Sequence, residues 1–141
     1  MTIYADTSFF VSIYVKDSHS TGADQLLSSG PRPCITPLHL AEWAHAIAQQ
    51  VFRRQMTAAE ANRVHRQLRD DRSAGVWPII DVPETALDVC ADLGHRYGPK
   101  LGVRTLDSLH VACALELNAE QFWTFDDRQR TLARAVGLRT R

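Results

Sequence analysis

An α/β domain built on a mostly parallel sheet is what this sequence predicts, on three observations. Apolar stretches of strand length alternate with helical stretches, the loops between them are short, and no internal repeat or low-complexity segment interrupts the order. Short strand–helix–strand connections impose right-handed crossovers, so the strands run parallel and their carboxyl ends share one edge. With 141 residues the chain suits one domain, 1–141, large enough to bury most of its apolar surface without disulfide or metal staples. A 45% hydrophobic and 23% charged composition is that of an ordinary globular protein and excludes intrinsic disorder.

Each element has its own signal. Ile3-Tyr4-Ala5 is a short strand that ends on Asp6 and turns at once into a helix striped by Phe9, Phe10, Ile13 and Tyr14. Asp17-Ser18-His19-Ser20-Thr21-Gly22 breaks that helix, and a short one follows over 23–27. Gly30-Pro31-Arg32-Pro33 turns into a second strand, Cys34-Ile35-Thr36, and Pro37 suits the first turn of a long helix. Leu40, Ala41, Ala44, Ile47, Ala48 and Val51 are its expected buried face, with Glu42 near its start. Thr57 with Glu60 forms a capping box for the next helix, which runs to Ala74-Gly75. These two helices are expected to pair as an antiparallel hairpin standing away from the sheet.

Val76-Trp77-Pro78-Ile79-Ile80-Asp81 is the third strand, with Pro78 marking an edge. Pro83 opens a helix with Ala86, Leu87, Cys90, Leu93 and Tyr97 inward, and Gly98-Pro99-Lys100-Leu101-Gly102 ends it in a loop. Thr105 caps the following helix, which puts Asp107 in its first turn and buries Leu106, Leu109, Cys113 and Leu117 on the opposite side. Gln121-Phe122-Trp123-Thr124 is a fourth strand running into Phe125-Asp126-Asp127. A helix through Leu132, Ala133 and Val136 stops at Gly137, and Leu138-Arg139-Thr140 is a weak last strand. Trp77 and Trp123 are expected in the core; Trp43, beside Glu42, is expected to face a partner.

Net charge is zero, so the whole-molecule field gives no argument for nucleic acid. Yet of sixteen Lys and Arg only Lys16 and Lys100 are lysines, and Arg128, Arg130, Arg134, Arg139 and Arg141 crowd a tail with no acid after Asp127. Genomic base composition accounts for such a bias, and so does a need for planar guanidinium groups on phosphates or carboxylates. Arg63, Arg66, Arg69 and Arg72 recur at i+3 along one helix, which reads as a solvated face or as an RNA-contacting one. Cys34, Cys90 and Cys113 are odd in number and widely spaced, which fits neither a zinc site nor a disulfide framework, and suits reduced core residues in the cytoplasm. No basic stretch precedes an apolar one at the start, and no apolar run approaches membrane-spanning length, so no membrane association is expected.

The acids carry the chemistry. Asp6 and Asp126 each follow a strand directly, at the edge where open parallel sheets place ligands. Glu42 and Asp107 reach that edge from helix starts. Carboxylates gathered there repel one another unless a cation holds them. A set of hard oxygen ligands without Cys or His points to Mg²⁺ or Mn²⁺, ions that serve phosphodiester chemistry. Asp127, one residue on, competes for the fourth place, but Thr124-x-Asp favours Asp126, and a helix N-terminal charge accounts for Asp127. His110, one turn beyond Asp107, either approaches the site or packs as a satisfied core histidine. Thr7, Ser8 and Thr124 either bond a carboxylate or simply cap their elements.

Tyr4-Ala5-Asp6-Thr7-Ser8, Leu40-Ala41-Glu42, Thr105-Leu106-Asp107-Ser108-Leu109-His110-Val111-Ala112 and Thr124-Phe125-Asp126, in that order and spacing, resemble the PIN-domain nucleases. Within them the likeness is to VapC-type toxins of bacterial toxin–antitoxin pairs. The resemblance implies a three-layer domain with a central, mostly parallel sheet of four to five strands flanked by helices. It also implies a Mg²⁺- or Mn²⁺-dependent endoribonuclease, with Asp6, Glu42, Asp107 and Asp126 as the catalytic, metal-binding acids. An RNA substrate, a cognate antitoxin covering the acidic cleft and a homodimer are implied as partners. An acidic site alone repels RNA, so a basic rim is expected on physical grounds. Arg63, Arg66 and Arg69, with Arg72 and the Arg-rich tail, are this chain's candidates for contacting RNA phosphates. Two other classes fit less well. An aspartyl-phosphate phosphatase or acceptor domain needs a further acid beside the nucleophile or a lysine at a late strand end, and neither is present. A non-catalytic binding module of the same fold would not need a complete quartet.

Overall fold

In the computed structural model, which describes residues 1–141, the elements are β1 (Ile3–Ala5), α1 (Thr7–Tyr14), α2 (Ser20–Ser28), α3 (Pro37–Phe52), α4 (Ala58–Ser73), α5 (Ala86–Leu101), α6 (Thr105–Glu116), β2 (Gln121–Trp123), α7 (Asp127–Ala135) and β3 (Arg139–Thr140). They fall into two units, one made of Met1–Asp6 with Asp81–Arg141, the other of Thr7–Ile80.

The first unit holds the sheet. Its order is β1-β2-β3, all parallel, with Ile3 opposite Gln121, Ala5 opposite Trp123 and Gln121 opposite Arg139. Ile3, Tyr4, Ala5, Phe122 and Trp123 are buried, the continuous apolar run of a strand covered on both faces. α6 packs against α5, α7 and β1, and every residue from Ser108 to Ala114 is buried. A helix enclosed in this way has no solvent face. The expected one-sided pattern is corrected here: Leu106 is exposed at the N-terminal end and Leu117 half-buried at the other. On α5, Ala86, Cys90 and Leu93 point inward as expected, whereas Leu87 lies outside at 66% exposure. α5 also runs through Pro99 to Leu101 and ends on Gly102, whose φ of 63° is the left-handed C-terminal conformation that glycine adopts at little cost.

The sheet has three strands rather than four to five. The expected second and third strands meet only in one parallel bridge, Ile35 with Ile79, through Ile35 N–H to the Pro78 carbonyl (2.8 Å) and Ile80 N–H to the Ile35 carbonyl (3.0 Å). The next rung on one side needs an N–H from residue 37 and on the other from residue 78. Both are prolines, so the ladder stops where it starts.

The second unit is helical, with α1 against α2, α3 and α4, and α3 paired with α4. Thr57 caps α4, accepting from Glu60 N–H while Glu60 accepts from Thr57 N–H, as the capping box predicts. The buried face of α3 is His39, Trp43 and Ile47, not the expected alanine-rich face; Ala41, Ala44 and Ala48 are exposed. Aromatic area decides the rotation. Trp43 stacks edge-on to Tyr14 (5.4 Å between ring centroids) and donates to His65 Nδ1 (3.0 Å), while His39 caps Thr36 and meets the edge of Phe10. Trp43 is therefore a core residue and not one facing a partner. Beside it the Tyr14 hydroxyl donates to Asp71 and accepts from Trp77 Nε1; burial, then the Asp71 bond, pushes its pKa up.

α2 begins at Ser20, earlier than expected, because Asp17 accepts the His19 N–H and the Ser20 hydroxyl reaches back to the Ser12 carbonyl. The three cysteines are free and buried, and burial raises the thiols of Cys90 and Cys113.

Candidate active site

Asp6 is the last residue of the first unit's opening segment. Its N–H bonds the Trp123 carbonyl (3.1 Å), so the carboxylate leaves β1 in strand register, at the carboxyl end of β1 and beside that of β2. It is 8% exposed. One carboxylate oxygen, Oδ2, accepts from the Thr124 hydroxyl at 3.2 Å. Thr124, directly after β2, is buried, and its own oxygen accepts the Asp126 N–H (3.0 Å). Asp126 is the N-cap of α7 and accepts the Gln129 N–H at 2.8 Å.

Gln129 closes the network. Its side chain, 1% exposed, accepts from the Thr124 hydroxyl at 2.6 Å and donates through Nε2 to the Asp107 backbone carbonyl at 3.2 Å. Asp6, Asp107 and Asp126 are thus linked through two buried polar side chains, Thr124 and Gln129. No motif or spacing in the sequence singles out Gln129. Its one signal is its place three residues after an aspartate N-cap, where Gln or Glu ordinarily turns back to the cap; here it turns inward instead.

Asp107 sits in the first turn of α6, half-buried. Burial raises its pKa, and the Asp126 charge raises it further; a bond from the Arg104 N–H, the Arg104 charge and His110 act the other way. Arg104 rather than Thr105 is the N-cap residue, so Asp107 occupies the third helical position, from which a carboxylate reaches back to the cap N–H. Asp127 is engaged elsewhere, pairing with Arg130 at 2.7 Å, and Arg130 also donates to the Thr124 carbonyl at 2.6 Å. His110 is buried, its Nδ1 2.7 Å from the Tyr4 hydroxyl, and its ring packs beside Tyr4. That bond and ring contact are those of a packing histidine, and His110 also acts on the charge of Asp107.

Glu42 belongs to the second unit, half-buried on α3, where it accepts the Thr7 hydroxyl at 2.8 Å. Thr7 follows Asp6 in the chain. Arg63, Arg66 and Arg69 are exposed, Arg72 half-buried. Spacing by three falls about 60° short of a full turn, so the four arginines wind around α4 instead of lining one face.

No group of three or more His, Cys, Asp or Glu side chains stands close enough together to hold an ion by itself. The donor set still fits one kind of ion. It is all oxygen, and Mg²⁺ is ordinarily held by one or two carboxylates with water completing its shell. Burial raises the Asp107 pKa most, and the Asp126 charge adds a smaller repulsion of the kind a cation relieves.

The PIN domain family model matches residues 3–135. The chain belongs to the PIN-domain family. Several solved structures share its fold. Mycobacterium tuberculosis VapC20, a sarcin-ricin loop cleaving toxin, superposes with a TM-score of 0.70 at 17% identity, over 97% of this chain and 96% of that one. FitAcB from Neisseria gonorrhoeae gives 0.72 at 15% identity, over 99% and 96%. VapBC2 from Rickettsia felis, solved bound to a DNA fragment from its promoter, gives 0.69 at 18% identity, over 100% and 98%. No curated protein matches this PIN domain in sequence.

Proposed function

We propose that residues 1–141 act as one metal-dependent endoribonuclease domain, the toxin of a toxin–antitoxin pair. One observation carries the reading: Asp6, Asp107 and Asp126, three acids far apart in sequence, are held in one hydrogen-bonded network at the carboxyl end of the parallel strands. Membership of the PIN family and the likeness in fold to VapC20 support it.

Asp6 and Asp107 would hold Mg²⁺ or Mn²⁺, with Asp126 and Glu42 completing the site directly or through water. When bound, such a cation makes water a better nucleophile and stabilises charge on the phosphate and the leaving oxygen. The protein's own part is positional. The Asp6 N–H bond to the Trp123 carbonyl sets Asp6 beside Thr124, the Arg104 N–H fixes Asp107, and the helix N-terminus of α7 fixes Asp126. Each carboxylate is then oriented before substrate arrives, which removes that entropy from the reaction barrier. The acids alone repel RNA, and exposed Arg63, Arg66 and Arg69 supply cations to contact its phosphates. An antitoxin segment bearing an arginine would pair with the acids and compete with the cation. A homodimer and a cytoplasmic setting, in which the three buried thiols stay reduced, complete the reading.

A direct test expresses the wild type and Asp6→Ala in parallel and sequences the RNA ends each produces, with Mn²⁺ binding by the purified proteins measured calorimetrically. The wild type should bind Mn²⁺ and generate new ends, and Asp6→Ala should do neither while keeping its circular dichroism spectrum. Undiminished cleavage by well-purified Asp6→Ala would sink the proposal.

A further inference from the structure

The Thr124 hydroxyl has one proton and two acceptors. Gln129 Oε1 lies 2.6 Å away and Asp6 Oδ2 lies 3.2 Å away. The hydroxyl oxygen meanwhile accepts the Asp126 N–H. A hydroxyl donates one hydrogen bond at a time, and donor–acceptor distances for O–H···O centre near 2.7–2.8 Å. The shorter contact therefore holds the proton. Gln129 cannot turn its amide the other way, because its Nε2 donates to the Asp107 carbonyl and a flip would set two acceptors against each other.

We propose that Gln129 is a positioning residue: by drawing the Thr124 proton to its own carbonyl, it leaves Asp6 Oδ2 with more of its charge for a cation. The proposal rests on the reading that Asp6 binds a divalent ion, and it adds a residue that touches neither ion nor substrate. Without the Gln129 acceptor, the Thr124 hydroxyl has only the carboxylate to donate to. Its proton then partly neutralises the oxygen that the ion needs. Gln129 also spans 22 residues to Asp107, so one side chain sets the oxygen chemistry of the first acid and steadies the helix that carries the second.

The experiment measures Mn²⁺ binding by calorimetry and electron paramagnetic resonance on wild type, Asp6→Ala, Gln129→Met, Thr124→Val and the Thr124→Val/Gln129→Met double variant, all checked by circular dichroism. Methionine keeps the buried volume and removes both hydrogen-bonding groups. Gln129→Met should weaken Mn²⁺ binding by about tenfold or more, the usual effect of losing a partner that orients a metal ligand. Thr124→Val in that background should restore much of the loss, because it removes the proton that had moved onto Asp6. A purely structural role predicts the opposite, a double variant no better than Gln129→Met, and that result overturns the proposal. If the wild type binds no Mn²⁺, the metal reading falls and this one with it. If the wild type binds and Asp6→Ala does not, the metal reading stands whatever Gln129→Met does.

A measurement on the unmutated protein asks the same question should Gln129→Met not fold. With its proton on Gln129, the Thr124 hydroxyl resonance should barely shift as Mg²⁺ is titrated in. A resonance that moves or vanishes with Mg²⁺ places the proton on Asp6 and overturns the proposal.

Discussion

Asp126 and Asp127 are chemically identical neighbours with different surroundings. Both are exposed, but Asp126 accepts the Gln129 N–H and its charge reaches Asp107, while Asp127 is paired with Arg130. Asparagine caps a helix about as well as aspartate. Asp126→Asn should therefore keep folding stability within about 0.5 kcal/mol of wild type and lose most RNA cleavage; Asp127→Asn should keep both. Parallel cleavage and melting assays decide it. Asp107 offers a prediction in pH. Its folded pKa lies above its unfolded one, so the folded state binds the proton more tightly and the ionised carboxyl costs stability at neutral pH. That cost fades as pH falls from the raised value to the ordinary aspartate range. Without added metal, Asp107→Asn should be more stable than wild type at neutral pH, by less than about 1 kcal/mol because water screens a half-buried group. Melts across pH should show the advantage vanishing below the ordinary aspartate range, and cleavage should be lost throughout. At this scale the acids were legible, because strand ends and helix starts can be read from a linear pattern. Gln129 was not, because its role depends on the carbonyl of a residue 22 positions away.

Among the elements, α3 shows what periodicity leaves open. An alanine-rich helix offers several apolar faces, and spacing alone does not choose among them. The indole of Trp43 does, through Tyr14 and His65. Trp43→Ala should cost about 3–5 kcal/mol, the usual range for emptying a buried tryptophan site, whereas Ala44→Ser on the exposed face should be nearly neutral. Thermal melts of the two variants test the rotation directly. The missing strands have a similarly local cause. Cys34-Ile35-Thr36 has the composition of a strand and makes a strand's bridge, but Pro37 and Pro78 lack the two N–H groups that would extend it. Strand propensity was legible there, while the partner's prolines mattered only once the register was known.

For the molecule as a whole, zero net charge conceals an uneven distribution. Arg63 and Arg66 have no acid within ion-pair distance, and Arg69 has only an exposed 3.9 Å contact with Asp70. Reversing Arg66 and Arg69 together to Glu should weaken RNA binding and flatten its dependence on the logarithm of salt by about 1.4 for a single strand. An unchanged slope in filter-binding titrations would mean that this side of α4 is simply solvated. The order of elements was legible at this scale from their alternation alone. The division into units was not, because the first unit is assembled from both ends of the chain.

That division also sets a clock. The bond from Thr124 to Asp6 joins residues 118 apart, and β1 has no sheet partner until β2 exists. At synthesis rates of roughly 5–20 residues per second, about 6–24 s separate the emergence of Asp6 from that of Thr124. Within that interval the whole of Thr7–Ile80 is already synthesised. Asp6 has neither its hydroxyl donor nor the other two acids of its unit. A nascent chain therefore lacks the Thr124 contact to Asp6, and the pairing of β1 with β2, until synthesis has passed β2.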